Sequence, residues 1–208
     1  MPGLRRKKLK SFALEVDTAD LLRIARATFN KAVGIVGFGK GALWFPSQLG
    51  SLLSYKGFSY CLISYRFEHS SNVSSPLILG ASESIYSGSM QYTPMLDNPM
   101  YPNYYYIGLQ GNSIDNTYLE VPLSLQGFHS EGNGGMIIDS GTTYTHLPET
   151  FYEKILTTLQ EIIPYSRSHE YEKPSIEDVG IGPAAIFGNF QQQNFQVFYD
   201  LEKMRIGF

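Results

Sequence analysis

The sequence predicts a mainly β fold, on three observations. Aromatic residues reach 14%, with 15 Tyr and 13 Phe, while charged residues are held to 17%; aromatic side chains suit the half-buried surface of a sheet. The chain also carries 20 Gly and 11 Pro, residues that punctuate short elements with turns. Apolar runs are short and several end at glycine or proline, as strands do. One segment, residues 148–163, breaks the pattern with helical spacing.

Residues 1–33 open on a basic run, Arg5, Arg6, Lys7, Lys8 and Lys10, which reads as a solvated terminus in preference to a nuclear-type or phosphate-binding patch. The net charge of −3 gives no case for a nucleic-acid partner. Beyond the run only Phe12, Ala13 and Leu14 are apolar before Glu15 and Asp17, so no signal peptide is visible. No stretch is long enough to span a membrane. Residues 20–31 carry a loose helical pattern in Leu21, Leu22, Ala25 and Phe29.

Residues 34–42 come next and admit two nucleotide readings. The spacing from Gly34 to Lys40 fits a phosphate loop, but Gly41 stands where a Ser or Thr must hold magnesium. Gly37, Gly39 and Ala42 fit a dinucleotide fingerprint without its acidic residue about 20 positions on. Both need a helix starting here, and Pro46 is expected to break a helix begun at Gly41 within its second turn. Neither reading is preferred.

Residues 58–62 follow as a strand containing Cys61, the only cysteine, which excludes an intrachain disulfide. Residues 68–75 are polar and serine-rich and read as a loop or linker; Asn72 opens a glycosylation-type triplet with Val73 and Ser74. Short strands are expected at 76–80, at 91–96 (with Pro94 placing it at an edge or end), at 104–109 and at 118–122. The tyrosine run Tyr104, Tyr105 and Tyr106 could stack bases or sugars, but with no basic residue beside it sheet packing is the simpler account.

At 134–143 chemistry concentrates. Met136, Ile137 and Ile138 read as a buried strand that delivers Asp139 into Ser140, Gly141, Thr142 and Thr143. A buried carboxylate is costly unless hydrogen-bonded; the three hydroxyl residues supply donors, and Gly141 lets backbone N–H groups approach. The plainer alternative is an aspartate capping a turn. The helix at 148–163 follows, with Phe151, Tyr152, Ile155, Leu156, Leu159, Ile162 and Ile163 on its apolar face, Pro148 in its first turn and Pro164 as its stop. His146 lacks the serine elbow a triad would need, and His69, His129, His146 and His169 have no metal-ligand spacing. No metal and no cofactor is expected. Residues 195–200 alternate as a strand before Arg205, Ile206, Gly207 and Phe208 close the chain.

Several of these strings together resemble pepsin-like aspartic proteases of the plant, nepenthesin type. Ile-Ile-Asp-Ser-Gly-Thr-Thr at 137–143 is similar to that family's second catalytic motif. Residues 34–50 resemble the segment closing its first lobe, with residues 58–62 after it. Ala185-Ile186-Phe187-Gly188, followed by Asn189, Phe190, Gln191, Gln192, Gln193 and Asn194, resembles the hydrophobic-hydrophobic-Gly unit of the second lobe. The resemblance implies a pepsin-like lobe with one or two helices, incomplete against the two-lobed family. It implies residues 1–33 as a leader without resemblance, 34–66 as a remnant of the first lobe's end, 67–75 as linker, and 76–208 as a second lobe shortened over 166–184. Asp139 is the implied catalytic residue, supported by Ser140, Gly141, Thr142 and Thr143, in an endopeptidase acting on peptide or protein substrates. The family is typically secreted, apoplastic or vacuolar. Its first motif, Asp-Thr-Gly-Ser, is not found: Asp17-Thr18 is followed by Ala19, which cannot easily take the positive φ of the glycine. A second carboxylate would come from a separate lobe or a homodimer. The alternative from the same resemblance is an inactive binding module, like the plant proteins that inhibit xylan-degrading enzymes.

Overall fold

The computed structural model describes residues 36–50, 52–64, 67, 73–86, 90–164 and 185–208. The basic run, the 20–31 pattern, Asp17, Asn72 and the segment 166–184 lie outside them. The described chain is mainly β, as expected. In order it runs α1 (Phe45–Leu49), β1 (Gly57–Cys61), β2 (Leu77–Leu79), a 3-10 turn (Glu83–Ile85), β3 (Tyr92–Pro94), β4 (Tyr106–Ile107), β5 (Asn112–Ile114), β6 (Thr117–Leu119), α2 (Leu123–Gln126), β7 (Met136–Ile138), α3 (Glu149–Ile162), β8 (Ala185–Phe187), α4 (Asn189–Gln192), β9 (Gln196–Asp200) and β10 (Arg205–Gly207). Three of the helices are four or five residues long, and no described helix is long and apolar enough to cross a membrane.

A five-stranded sheet has the order β2-β1-β9-β10-β3, with every pairing antiparallel. β1, from the segment assigned to the end of a first lobe, therefore lies beside strands from the chain's last residues. Pro94 sits on the edge strand β3, where a missing N–H costs no ladder bond. A second sheet runs β4-β7-β8; β7 meets β8 in parallel, with Ile137 opposite Ile186 and Ile138 opposite Phe187. β5 and β6 form a separate hairpin, turned at Asp115 with φ of 51°.

One core joins the sheets. Phe58 stacks on Tyr199 with centroids 4.4 Å apart, Tyr105 meets Tyr199 edge-on at 4.7 Å, and Val197, Ile206 and Phe151 are buried beside them. Burying an aliphatic or aromatic side chain of this size contributes roughly 1.5–3 kcal/mol. Tyr105 and Tyr106 are buried and Tyr104 is half exposed, so two of the three tyrosines serve packing.

No helix follows the glycines directly, as expected: residues 41–44 form a turn, and α1 begins only at Phe45 with Pro46 in its first turn, where no intrahelical N–H is required. One expectation needs correction. The apolar face of α3 is core only in part. Phe151 and Thr158 are buried, whereas Ile162 and Ile163 are exposed at 41% and 45%. Thr158 tolerates its apolar position by donating its hydroxyl to the Lys154 carbonyl at 2.9 Å.

Candidate active site

The site is made where β7 ends beside β8. The N–H of Asp139 donates to the Phe187 carbonyl at 3.1 Å, extending the parallel pairing by one residue. On its other side β8 pairs with His146, whose N–H and carbonyl both bond Ile186 at 2.9 Å. The loop from Asp139 to His146 thus passes around the end of β8, and the role of His146 here is carried by its backbone. At the crossing sits Gly188. A Cβ there would lie 2.3 Å from the Tyr144 carbonyl oxygen and 2.8 Å from the Thr145 nitrogen, both backbone atoms that cannot swing aside. Gly188→Ala is expected to destabilise the chain by about 2 kcal/mol through overpacking, measurable as a lower denaturation midpoint with an unchanged m-value.

Inside this frame Asp139 is half-buried and both its oxygens are occupied. Gly141 N–H donates to Oδ1 at 2.7 Å, and the Thr142 hydroxyl donates to Oδ2 at 2.7 Å. Gly141 and Thr142 thus hold the carboxylate. Ser140 and Thr143 act differently. Ser140 contributes its carbonyl, which accepts from Asn189 Nδ2 at 3.0 Å. Thr143 is exposed and contributes its carbonyl to Phe190 N–H at 2.9 Å.

The amide-rich string after Gly188 is the part whose role the sequence left unread. Asn189 N–H caps the Thr142 carbonyl at 2.7 Å. Gln191 Oε1 accepts from Thr145 twice, from the backbone N–H at 3.0 Å and the hydroxyl at 2.7 Å. Gln192 is fully buried; its Nε2 donates to the Phe187 carbonyl at 2.7 Å and its Oε1 accepts from Tyr60. These residues brace the carboxylate loop from behind. Tyr60 in turn contacts the Tyr199 hydroxyl at 3.1 Å. Its phenol is pushed up to about 12, first by burial and also by the neighbouring Asp139 charge, against the lowering effect of Tyr199 and Ser140.

A cavity of about 450 Å³ opens between this loop and residues 36–44, lined by Gly37, Phe38, Gly39, Trp44, Phe58, Tyr60, Tyr105, Ile138, Asp139, Ser140, Gly141 and Tyr199 among others. The glycines of the nucleotide-like stretch have a different partner. A Cβ on Gly37 would fall 2.0 Å from the Trp44 ring, and one on Gly39 2.9 Å from it. The indole occupies the room a phosphate would need, which removes the physical basis of that reading. Cys61 is a free thiol.

A lobe whose strand-end aspartate is gripped by its own Ser-Gly-Thr loop and crossed by a hydrophobic-hydrophobic-Gly strand defines the pepsin-like class. Comparison with known proteins agrees. The xylanase inhibitor N-terminal family model matches residues 5–81 and the xylanase inhibitor C-terminal model residues 104–177; the first match takes in most of the segment expected to lack resemblance. The chain is 31% identical to aspartic proteinase nepenthesin-2 of Nepenthes gracilis, over 84% of this chain and 49% of that one. It is also 31% identical to aspartyl protease family protein 2 of Arabidopsis thaliana, over 86% and 45%. It therefore spans about half the length of the curated relatives it matches. Among solved structures, edgp superposes with a TM-score of 0.69 at 18% identity, covering 89% of this chain and 61% of that one. Soybean basic 7S globulin superposes at 0.64 and 17%, covering 88% and 61%. The chain belongs to the plant aspartic-protease family, nepenthesin-type, with its xylanase-inhibitor-like relatives.

Proposed function

We propose that this chain supplies one half of an aspartic endopeptidase centre, with Asp139 as its carboxylate. The observation that carries the reading is the grip on that side chain: a backbone N–H on one oxygen and a hydroxyl on the other, with a cavity alongside. Two such carboxylates brought together cannot both ionise cheaply, so they share a proton, a coupling for which the aspartic-protease dyad is the familiar example. The ionised member then takes a proton from a water as it attacks the peptide carbonyl, and the protonated member gives its proton to the carbonyl oxygen. The 208 residues carry one motif of this kind, and in this reading a further lobe or a second copy supplies the second aspartate. Ser140, Gly141, Thr142 and Thr143 position the loop.

The test is cleavage of a peptide substrate across acidic to neutral pH, with and without a pepstatin-type transition-state analogue, on protein of measured oligomeric state. If a second copy completes the site, specific activity rises with protein concentration and the analogue abolishes it. Cleavage by a demonstrated monomer would sink the shared-site reading. The xylanase-inhibitor description of both matching family models favours a second reading, a binding module without catalysis. A cooperatively folded protein that cleaves nothing and retains a glycosidase in pull-down would support that one instead.

A further inference from the structure

The cavity beside Asp139 combines features that the protease reading does not use. Phe38, Trp44, Phe58, Tyr60, Tyr105 and Tyr199 line it, and among the described residues the one charged side chain in the lining is the Asp139 carboxylate. Aromatic faces carry negative potential and attract a desolvated cation. A carboxylate in the same wall adds a directional acceptor for N⁺–H donors. An anion would meet repulsion from Asp139, and a neutral molecule would gain only from apolar contact.

We propose that this cavity is a binding site for a protonated arylalkyl amine, its ammonium group on Asp139 and its hydrocarbon part among the aromatic rings. The volume of about 450 Å³ lies within the roughly 300–1,000 Å³ of small-molecule pockets, ample for one ring on a short alkyl chain. The glycine ribbon contributes by shape. With no side chains on Gly37 and Gly39, Trp44 lies against the backbone and presents its ring as one wall. The inference goes beyond the endopeptidase reading, since it requires neither a second carboxylate nor a peptide.

Trp44 is the only tryptophan in the chain and lines the cavity, so its fluorescence reports occupancy directly. The full chain is titrated at neutral pH with phenylbutylamine, and with phenylbutanol and phenylbutanoate as neutral and anionic controls of the same shape. The expected result is a saturable change in Trp44 emission for the amine, with the alcohol weaker by about tenfold, the loss of one charge-assisted contact, and the acid weaker still. Asp139→Asn, checked by circular dichroism for an intact fold, should erase the difference between amine and alcohol. The site is refuted if the alcohol or the acid binds as tightly as the amine, if none gives a saturable change, or if folded Asp139→Asn keeps the preference. The three-ligand comparison on the unaltered chain decides the matter even if the variant does not fold. Peptide hydrolysis is a separate readout, so failure of the amine site and failure of the protease reading are distinguishable.

Discussion

Asp139→Asn should lower peptide cleavage by about 10³–10⁴-fold, the upper range of what one positioned proton-transfer group contributes, while leaving the fold almost untouched. The substitution keeps the shape of the side chain. The asparagine oxygen can still accept Gly141 N–H, now at 2.7 Å from Oδ1, and the Thr142 hydroxyl, a donor to Oδ2 in the native loop, can turn to accept from the new amide. What disappears is the ability to ionise and to share a proton with a second carboxylate. The predicted signature is therefore a split: kcat collapses, the thermal midpoint moves little, and binding of a pepstatin-type analogue weakens. Equal loss of stability and activity would mean that Asp139 serves the fold and not the chemistry. Unchanged cleavage by the purified variant would remove Asp139 from the mechanism altogether.

The carboxylate loop was legible in the sequence because its cause is local. A short apolar strand, an aspartate, a glycine and threonine hydroxyls within four residues can satisfy one another whatever the remainder of the chain does, and Gly141 and Thr142 do so. α3 was legible for the same reason, through its spacing and the flanking Pro148 and Pro164, although spacing alone could not say that its last turn would lie exposed. The bracing of the loop was not legible. Asn189 and Gln191 act on residues 46 to 49 positions earlier, and Gln192 meets Tyr60 across 132 positions. A run of amides carries no periodicity to announce such partners. The partner of the glycine ribbon was equally hidden: its spacing partly fits a phosphate loop, and only the fold shows the Trp44 indole resting on it.

The second large effect is expected far from the loop, at Arg205. Asp200 is completely buried. It accepts the Tyr55 hydroxyl at 2.6 Å and the Lys203 N–H at 3.1 Å on one oxygen, and Arg205 Nε at 2.9 Å on the other. The guanidinium also lies 3.7 Å over the Tyr92 ring and bonds Glu83 at 2.7 Å, so one side chain ties β9, β10, β3 and the 3-10 turn together. Arg205→Leu leaves a buried carboxylate without its counter-charge, which should cost about 3–4 kcal/mol and lower the thermal midpoint by roughly 6–16 °C for a domain of this size. Arg205→Lys keeps the charge but loses the fork and much of the ring contact, and should fall between the two. Glu83 adds a pH dependence with a definite sign. Its hydrogen bonds to Lys203 and then Arg205 hold its carboxyl below the usual 4.5. A depressed folded value means that its stabilising contribution is complete above the unfolded value and is lost as pH falls through the folded one. Glu83→Gln should thus be less stable than the native chain at neutral pH, and the gap in thermal midpoint should close on acidification. A gap that stays constant to low pH would show that the Glu83 charge contributes nothing.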